Sequence, residues 1–148
     1  MSETINEALA GTEGDNTLSA SDSFAAIALV AVAADGQVSP EENQQLTNTL
    51  TRMKLYEGWS KEQFSAMLKR INGVMRRLGV SGLIAEAARS ISPDLKETVF
   101  AVASDLTLAD GAVEEPEKRF LNHLQSELGI ANETATKIVE VMVLKNKG

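Results

Sequence analysis

The chain contains no cysteine and a single histidine, His123, in 148 residues. The first absence excludes disulfides, thiolate nucleophiles and direct thiol redox chemistry. Together the two leave too few imidazole and thiolate donors for zinc, copper or iron sites of the usual kinds within one chain. Oxygen ligands are plentiful, so a metal held here is a hard one. Aromatic residues are also scarce, at 4%. No apolar run reaches the length of a membrane span, and the first residues show no basic start followed by an apolar stretch, so no secretory signal is read and the expected location is the cytoplasm. Basic residues are outnumbered, giving a net charge of −7. An acidic surface is repelled by a nucleic-acid backbone, so nucleic acid is not an expected partner.

What remains is apolar and helical in pattern. With 43% hydrophobic residues the chain supports one sizeable core, hence one domain. Residues 1–19 are polar and acidic without apolar periodicity and read as a disordered tail; residues 20–148 read as the folded unit. Phe24, Ile27, Ala28, Ala31 and Ala34 fall at spacings of three and four, the mark of a buried helix face. Ser39, Pro40 and Glu42 form a helix start with a capping box, continued by Leu46, Leu50 and Met53. Ser60 and Gln63 form another, with Trp59 and Phe64 in the positions of a hydrophobic staple. This third helix runs to Gly79 and a short one follows from Leu83 to Ser90. Ser92-Pro93 opens a helix carrying Leu95, Val99, Val102, Ala103, Leu106 and Ala109. Leu121, Leu124 and Leu128 then lead to Gly129, and Asn132 is expected to cap a last helix through Ile138 and Leu144, whose apolar run reads as core, with a docking face for a partner as the alternative. Arg52 to Arg89 holds eight basic residues against three acidic ones, a polarity read as a solvated basic face that is also suited to an acidic partner.

One motif occurs twice. Ala34-Asp35-Gly36-Gln37-Val38-Ser39-Pro40-Glu41-Glu42 returns as Ala109-Asp110-Gly111-Ala112-Val113-Glu114-Glu115-Pro116-Glu117, each after a helix with an Ala-containing apolar face. The repeat halves, about 22–78 and 94–145, predict pseudo-twofold symmetry, with Ala31, Ala34, Ala103 and Ala109 allowing close helix approach. Asp-Gly-x-Val-x-x-x-Glu matches the second half of an EF-hand loop. The first half fails, because the positions that need oxygen ligands hold Ala31 and Ala33, or Leu106 and Leu108.

Two readings of Asp35, Glu42, Asp110 and Glu117 stand side by side. In one, each Asp is a turn residue and each Glu a capping partner. In the other, the four carboxylates hold a divalent cation, calcium or magnesium rather than zinc. Each Asp sits at a helix C-terminus, where the dipole disfavours a carboxylate by about 0.3–1 kcal/mol, and Glu114 replaces serine at the second cap while Glu117 is kept; a cation accounts for both. No nucleophile sits beside a base in a recognisable order and no phosphate loop occurs, so no enzyme is read. His123, at helical spacing from Phe120 and Glu127, reads as a surface residue.

The segment Ala33 to Glu42 and its counterpart Ala103 to Glu117, with Phe120-Leu121 and Leu128-Gly129 downstream, resemble the TerB-like family, the tellurite-resistance proteins of bacterial stress operons. The resemblance spans about residues 22–145. It implies an all-α bundle of about seven helices, an acidic divalent-metal or ligand site that carries over to Asp35, Glu42, Asp110 and Glu117, and association with protein partners such as a membrane-embedded protein of the TerC type. It thus implies a cytoplasmic stress-response module, held at the inner membrane through that partner. The competing expectation is a purely structural helical interaction domain with no metal site.

Overall fold

The computed structural model describes residues 16–33, 39–109 and 114–147. Among them are six α-helices and no strand: α1 Ala20–Val32, α2 Pro40–Thr51, α3 Lys61–Ser90, α4 Lys96–Leu108, α5 Glu115–Leu128 and α6 Asn132–Lys145, with short 3₁₀ turns at Lys54–Tyr56 and Pro93–Leu95. The all-α expectation holds. The separate short helix expected from Leu83 to Ser90 is instead the second part of α3, which changes direction at Gly79 with φ 75° and ψ 174°. That backbone angle is open to glycine and costly for other residues, which explains why the helical pattern paused there.

Helix α1 is the centre of the molecule. Every residue from Asp22 to Ala31 is buried, so the single buried face read from periodicity becomes burial on all sides. Helices α2, α3 and α4 all pack on it, and a helix that is apolar all round is stable only when so enclosed. Its alanines keep the cylinder thin, which lets three neighbours approach together. The neighbours are amphipathic. Helix α2 presents Leu46 and Leu50 inward, and α3 presents Phe64, Met67, Ile71 and Val74 from its first part and Leu83, Ile84, Ala87 and Ala88 from its second.

The contacts repeat in the two halves. Helix α1 packs on α2 and α3, as α4 packs on α5 and α6, and α1 meets α4 between them. Ala31 and Ala103 are buried as anticipated, whereas Ala109 is exposed and Ala34 lies outside the described residues.

Several boundaries follow the local chemistry that the sequence offers. Ser60 Oγ accepts the Gln63 N–H at 3.2 Å and Gln63 Oε1 accepts the Ser60 N–H at 2.8 Å. The Trp59 and Phe64 rings lie 5.5 Å apart, with Tyr56 5.2 and 5.4 Å from them, so the predicted staple is part of an aromatic trio. Gly129, in the left-handed region at φ 70°, ends α5.

Three expectations are revised. The tail read as ending at Ser19 is already structured at its end, since Leu18 is buried and Ser19 caps α1 through a box with Asp22. Asn132 does not cap α6: Ala131 occupies the cap position, because the Asn132 amide oxygen accepts from the Gln125 side chain instead. The apolar run of α6 is core only in its first part, where half-buried Ile138 and Val139 pack against the other helices. Only Ala135 is buried in that helix, and Val141, Val143 and Leu144 are 56, 42 and 65% exposed. Helix α6 covers α4 with one side and leaves the other to solvent, its end fastened where Asp105 accepts hydrogen bonds from Lys145 at 3.1 Å and Asn146 at 2.8 Å.

The central role of α1 is measurable. Phe24→Ala removes a fully buried ring and is expected to cost about 3–5 kcal/mol in urea unfolding, whereas Val141→Ala on the open side of α6 is expected to change stability by no more than about 0.5 kcal/mol.

Candidate functional site

Each repeat enters the described structure at the first residue of a helix start. Ser39 and Glu114, nine-residue-motif equivalents, are the N-caps of α2 and α5, both in extended conformation with φ −74° and −91°. Three residues on in each case stands the retained glutamate. Glu42 Oε1 accepts the Ser39 N–H at 2.9 Å, and Ser39 Oγ accepts the Glu42 N–H at 3.1 Å. Glu117 Oε1 accepts the Glu114 N–H at 3.1 Å. Both glutamates are half-buried.

This geometry answers part of the argument for a cation. The capping half supplied by a glutamate at the third helical position needs only the backbone N–H of the cap residue, not a hydroxyl there. Glu117 therefore has a structural partner even though Glu114 replaces serine. A carboxylate so placed also lies at the positive end of the helix dipole. Asp35 and Asp110, the other two candidate ligands, lie outside the described residues.

The donor chemistry suits a hard cation, since carboxylate oxygen is what calcium and magnesium accept. Among the described residues, no three His, Cys, Asp or Glu side chains converge into a metal-holding group. Beside the start of α2, a depression of about 470 Å³ is bounded by α1, α2 and α3, with Ser39, Asn43, Ser65, Lys69 and Asn72 as its polar lining. Its described lining offers amides, hydroxyls and an ammonium but no carboxylate, which does not suit a cation. Of the four carboxylates expected to hold a cation, only Glu42 and Glu117 are among the described residues.

A polar cluster that the sequence reading passed over lies at the start of α1. Asp22 is only 5% exposed, yet its charge is compensated: Arg70 of α3 donates to Oδ1 at 2.9 Å and the Ser19 N–H lies 3.4 Å from Oδ2. A buried carboxylate is tolerated on such terms. Tyr56 closes the same end, its hydroxyl donating to the Ser21 carbonyl at 2.6 Å. Burial, and secondly the negative charge of Asp22, push the Tyr56 phenol well above the ordinary tyrosine range. Ser19-x-x-Asp22 was readable as a capping box, but its partner Arg70 is 48 residues away and no local pattern announces it.

His123 differs from its expectation. It is half-buried, and its Nε2 is enclosed without a hydrogen-bond partner among the described residues, as is the hydroxyl of Ser104.

Two outcomes follow. Glu42→Ala and Glu117→Ala are each expected to lower stability by about 1 kcal/mol, read by chemical denaturation in metal-free buffer, as for loss of other helix-start caps. For Tyr56, the folded state holds the phenolic proton more tightly than the unfolded chain. Its contribution to stability is complete below the ordinary tyrosine value of about 10 and declines as pH rises above it. The phenolate absorbance of this single tyrosine should therefore appear together with alkaline unfolding, and a Tyr56→Phe chain should lose that part of the pH dependence.

A family model described as tellurite resistance protein TerB matches residues 21–139. Comparison with curated proteins and with solved structures returned no significant match.

Proposed function

The chain belongs to the tellurite resistance protein TerB family, and we propose that it acts as a cytoplasmic, non-enzymatic stress-response module that binds a divalent cation through its duplicated Asp-Gly loops and engages protein partners. The observation that carries the reading is positional. Glu42 and Glu117 occupy the same third position of equivalent helices, each downstream of an Asp-Gly-x-Val segment. In both contacts the capping N–H is accepted by Oε1, and a carboxylate has capacity to accept more than one bond. Asp35, Glu42, Asp110 and Glu117 are the ligands assigned, and their oxygen chemistry favours calcium or magnesium over zinc. A cation bound there would neutralise carboxylates and join the two halves of the chain.

A protein partner is supported by Val141, Val143 and Leu144 on the open side of α6, apolar surface that a partner is able to bury. A membrane protein of the TerC type is the candidate, with the chain held peripherally at the inner membrane. Among the described residues no helix is long and apolar enough to cross a membrane.

The second reading, a helical interaction domain without a metal site, is favoured by a specific observation: capping alone gives both glutamates a partner. Asp35 and Asp110 therefore decide. Thermal unfolding of metal-stripped protein titrated with Ca²⁺, Mg²⁺, Mn²⁺ and Zn²⁺ separates the two, since a ligand of the native state alone adds about 2.7 kcal/mol at a hundredfold excess over Kd. A saturable rise in the midpoint with Ca²⁺ or Mg²⁺, absent from the Asp35→Asn/Asp110→Asn chain, is expected. No shift with any ion up to millimolar concentration sinks the cation site and leaves the interaction domain.

A further inference from the structure

Helix α3 carries a cationic face in an otherwise acidic protein. No Asp or Glu occurs in residues 63–85, while Lys69, Arg70, Arg76 and Arg77 stand at spacings of one, seven and eight, which places them on one side over two turns. All four are exposed. The stretch of chain that leads into α1 already lies against this side: Asp22 pairs with Arg70 at 2.9 Å, and Asn16 accepts from the Arg77 guanidinium at 2.8 Å. The segment before Asn16 carries Glu3, Glu7, Glu13 and Asp15 and no basic residue. It is thus attached at the edge of a surface of opposite charge.

We propose that the cationic face of α3 is a docking surface whose occupant is the chain's own acidic segment, residues 1–15. Length permits it, because fifteen residues reach up to about 50 Å when extended and the step from Lys69 to Arg77 along the helix is only about 12 Å. Attachment at Asn16 keeps the segment at high effective concentration. Each pairing of exposed charges is weak and screened by salt, so the cover is one that a competing acidic peptide displaces. The first cations met are Arg76 and Arg77, for Asp15 and Glu13, with Lys69 open to the acidic residues further out.

The absence of cysteine makes the test direct. Ser2→Cys provides a unique attachment point for a nitroxide spin label, and broadening of backbone amide resonances in the full chain reports where the segment spends its time. At low salt the amides around Lys69 and Arg76 are expected to be broadened several-fold more than those around Val141 and Leu144. The contrast should vanish when Glu3, Glu7 and Glu13 are changed to Gln and Asp15 to Asn, in the Lys69→Gln/Arg76→Gln chain, and at molar salt. Broadening that is even over the surface, centred elsewhere, or unchanged by neutralising the segment overturns the proposal. So does broadening carried between molecules when label and isotope reside on different copies, since the occupant is then a second copy.

Discussion

The structure depends on enclosing α1. Its backbone hydrogen bonds are internal and its side chains are apolar on nearly every face, so on its own it would expose a cylinder of Ala, Ile, Leu, Val and Phe to water. Burying one large apolar side chain is worth about 1.5–3 kcal/mol, and from Phe24 to Val30 every residue is at most 2% exposed. No single amphipathic helix covers such a surface. Helices α2 and α3 of its own half and α4 of the other half do so together, which makes the two repeats one cooperative unit rather than two small domains side by side.

The helix starts are held by a device that recurs along the chain. Ser19 with Asp22, Ser39 with Glu42, and Ser60 with Gln63 are reciprocal boxes, and Glu117 returns a bond to Glu114. The recurrence matters for function. A side-chain acceptor three residues after a cap is part of the ordinary architecture of this protein, found also at Asp22 and Gln63, where no Asp-Gly motif precedes it. Retention of Glu42 and Glu117 thus carries less weight for a cation than retention of Asp35 and Asp110, for which capping gives no such reason. Asp22 shows a further use of the same position: its carboxylate serves the cap and the long-range ion pair to Arg70 at once.

Charge and apolar surface are segregated on the outside. The solvent side of α3 between Lys69 and Arg77 is cationic, and the solvent side of α6 near its end is apolar at Val141, Val143 and Leu144. The family match at residues 21–139 covers the cationic side of α3, whereas Val141, Val143 and Leu144 lie beyond it and the acidic segment at 1–15 precedes it. Surface recognition is therefore divided between parts of the chain with different relations to the family.

Local signals were legible in the sequence because their physics is local. The capping boxes at Ser39 and Ser60, the pause at Gly79, the stop at Gly129, the Trp59–Phe64 staple and the duplication all act within a few residues or within one pattern, and each reappears in the structure. Of the candidate site, the positions of Glu42 and Glu117 at helix starts were readable; that Glu117 finds a cap partner without a serine was not, since it turns on backbone geometry at Glu114. Tertiary structure alone decided which faces are covered. Periodicity names an apolar face but not its neighbour, so it could not distinguish α1, enclosed by three helices, from α6, which packs mainly on α4 and leaves a chain of apolar residues in water. Nor could it join Asp22 to Arg70 or bury the edge of His123, because those contacts exist only after distant helices have been brought together by the burial of α1.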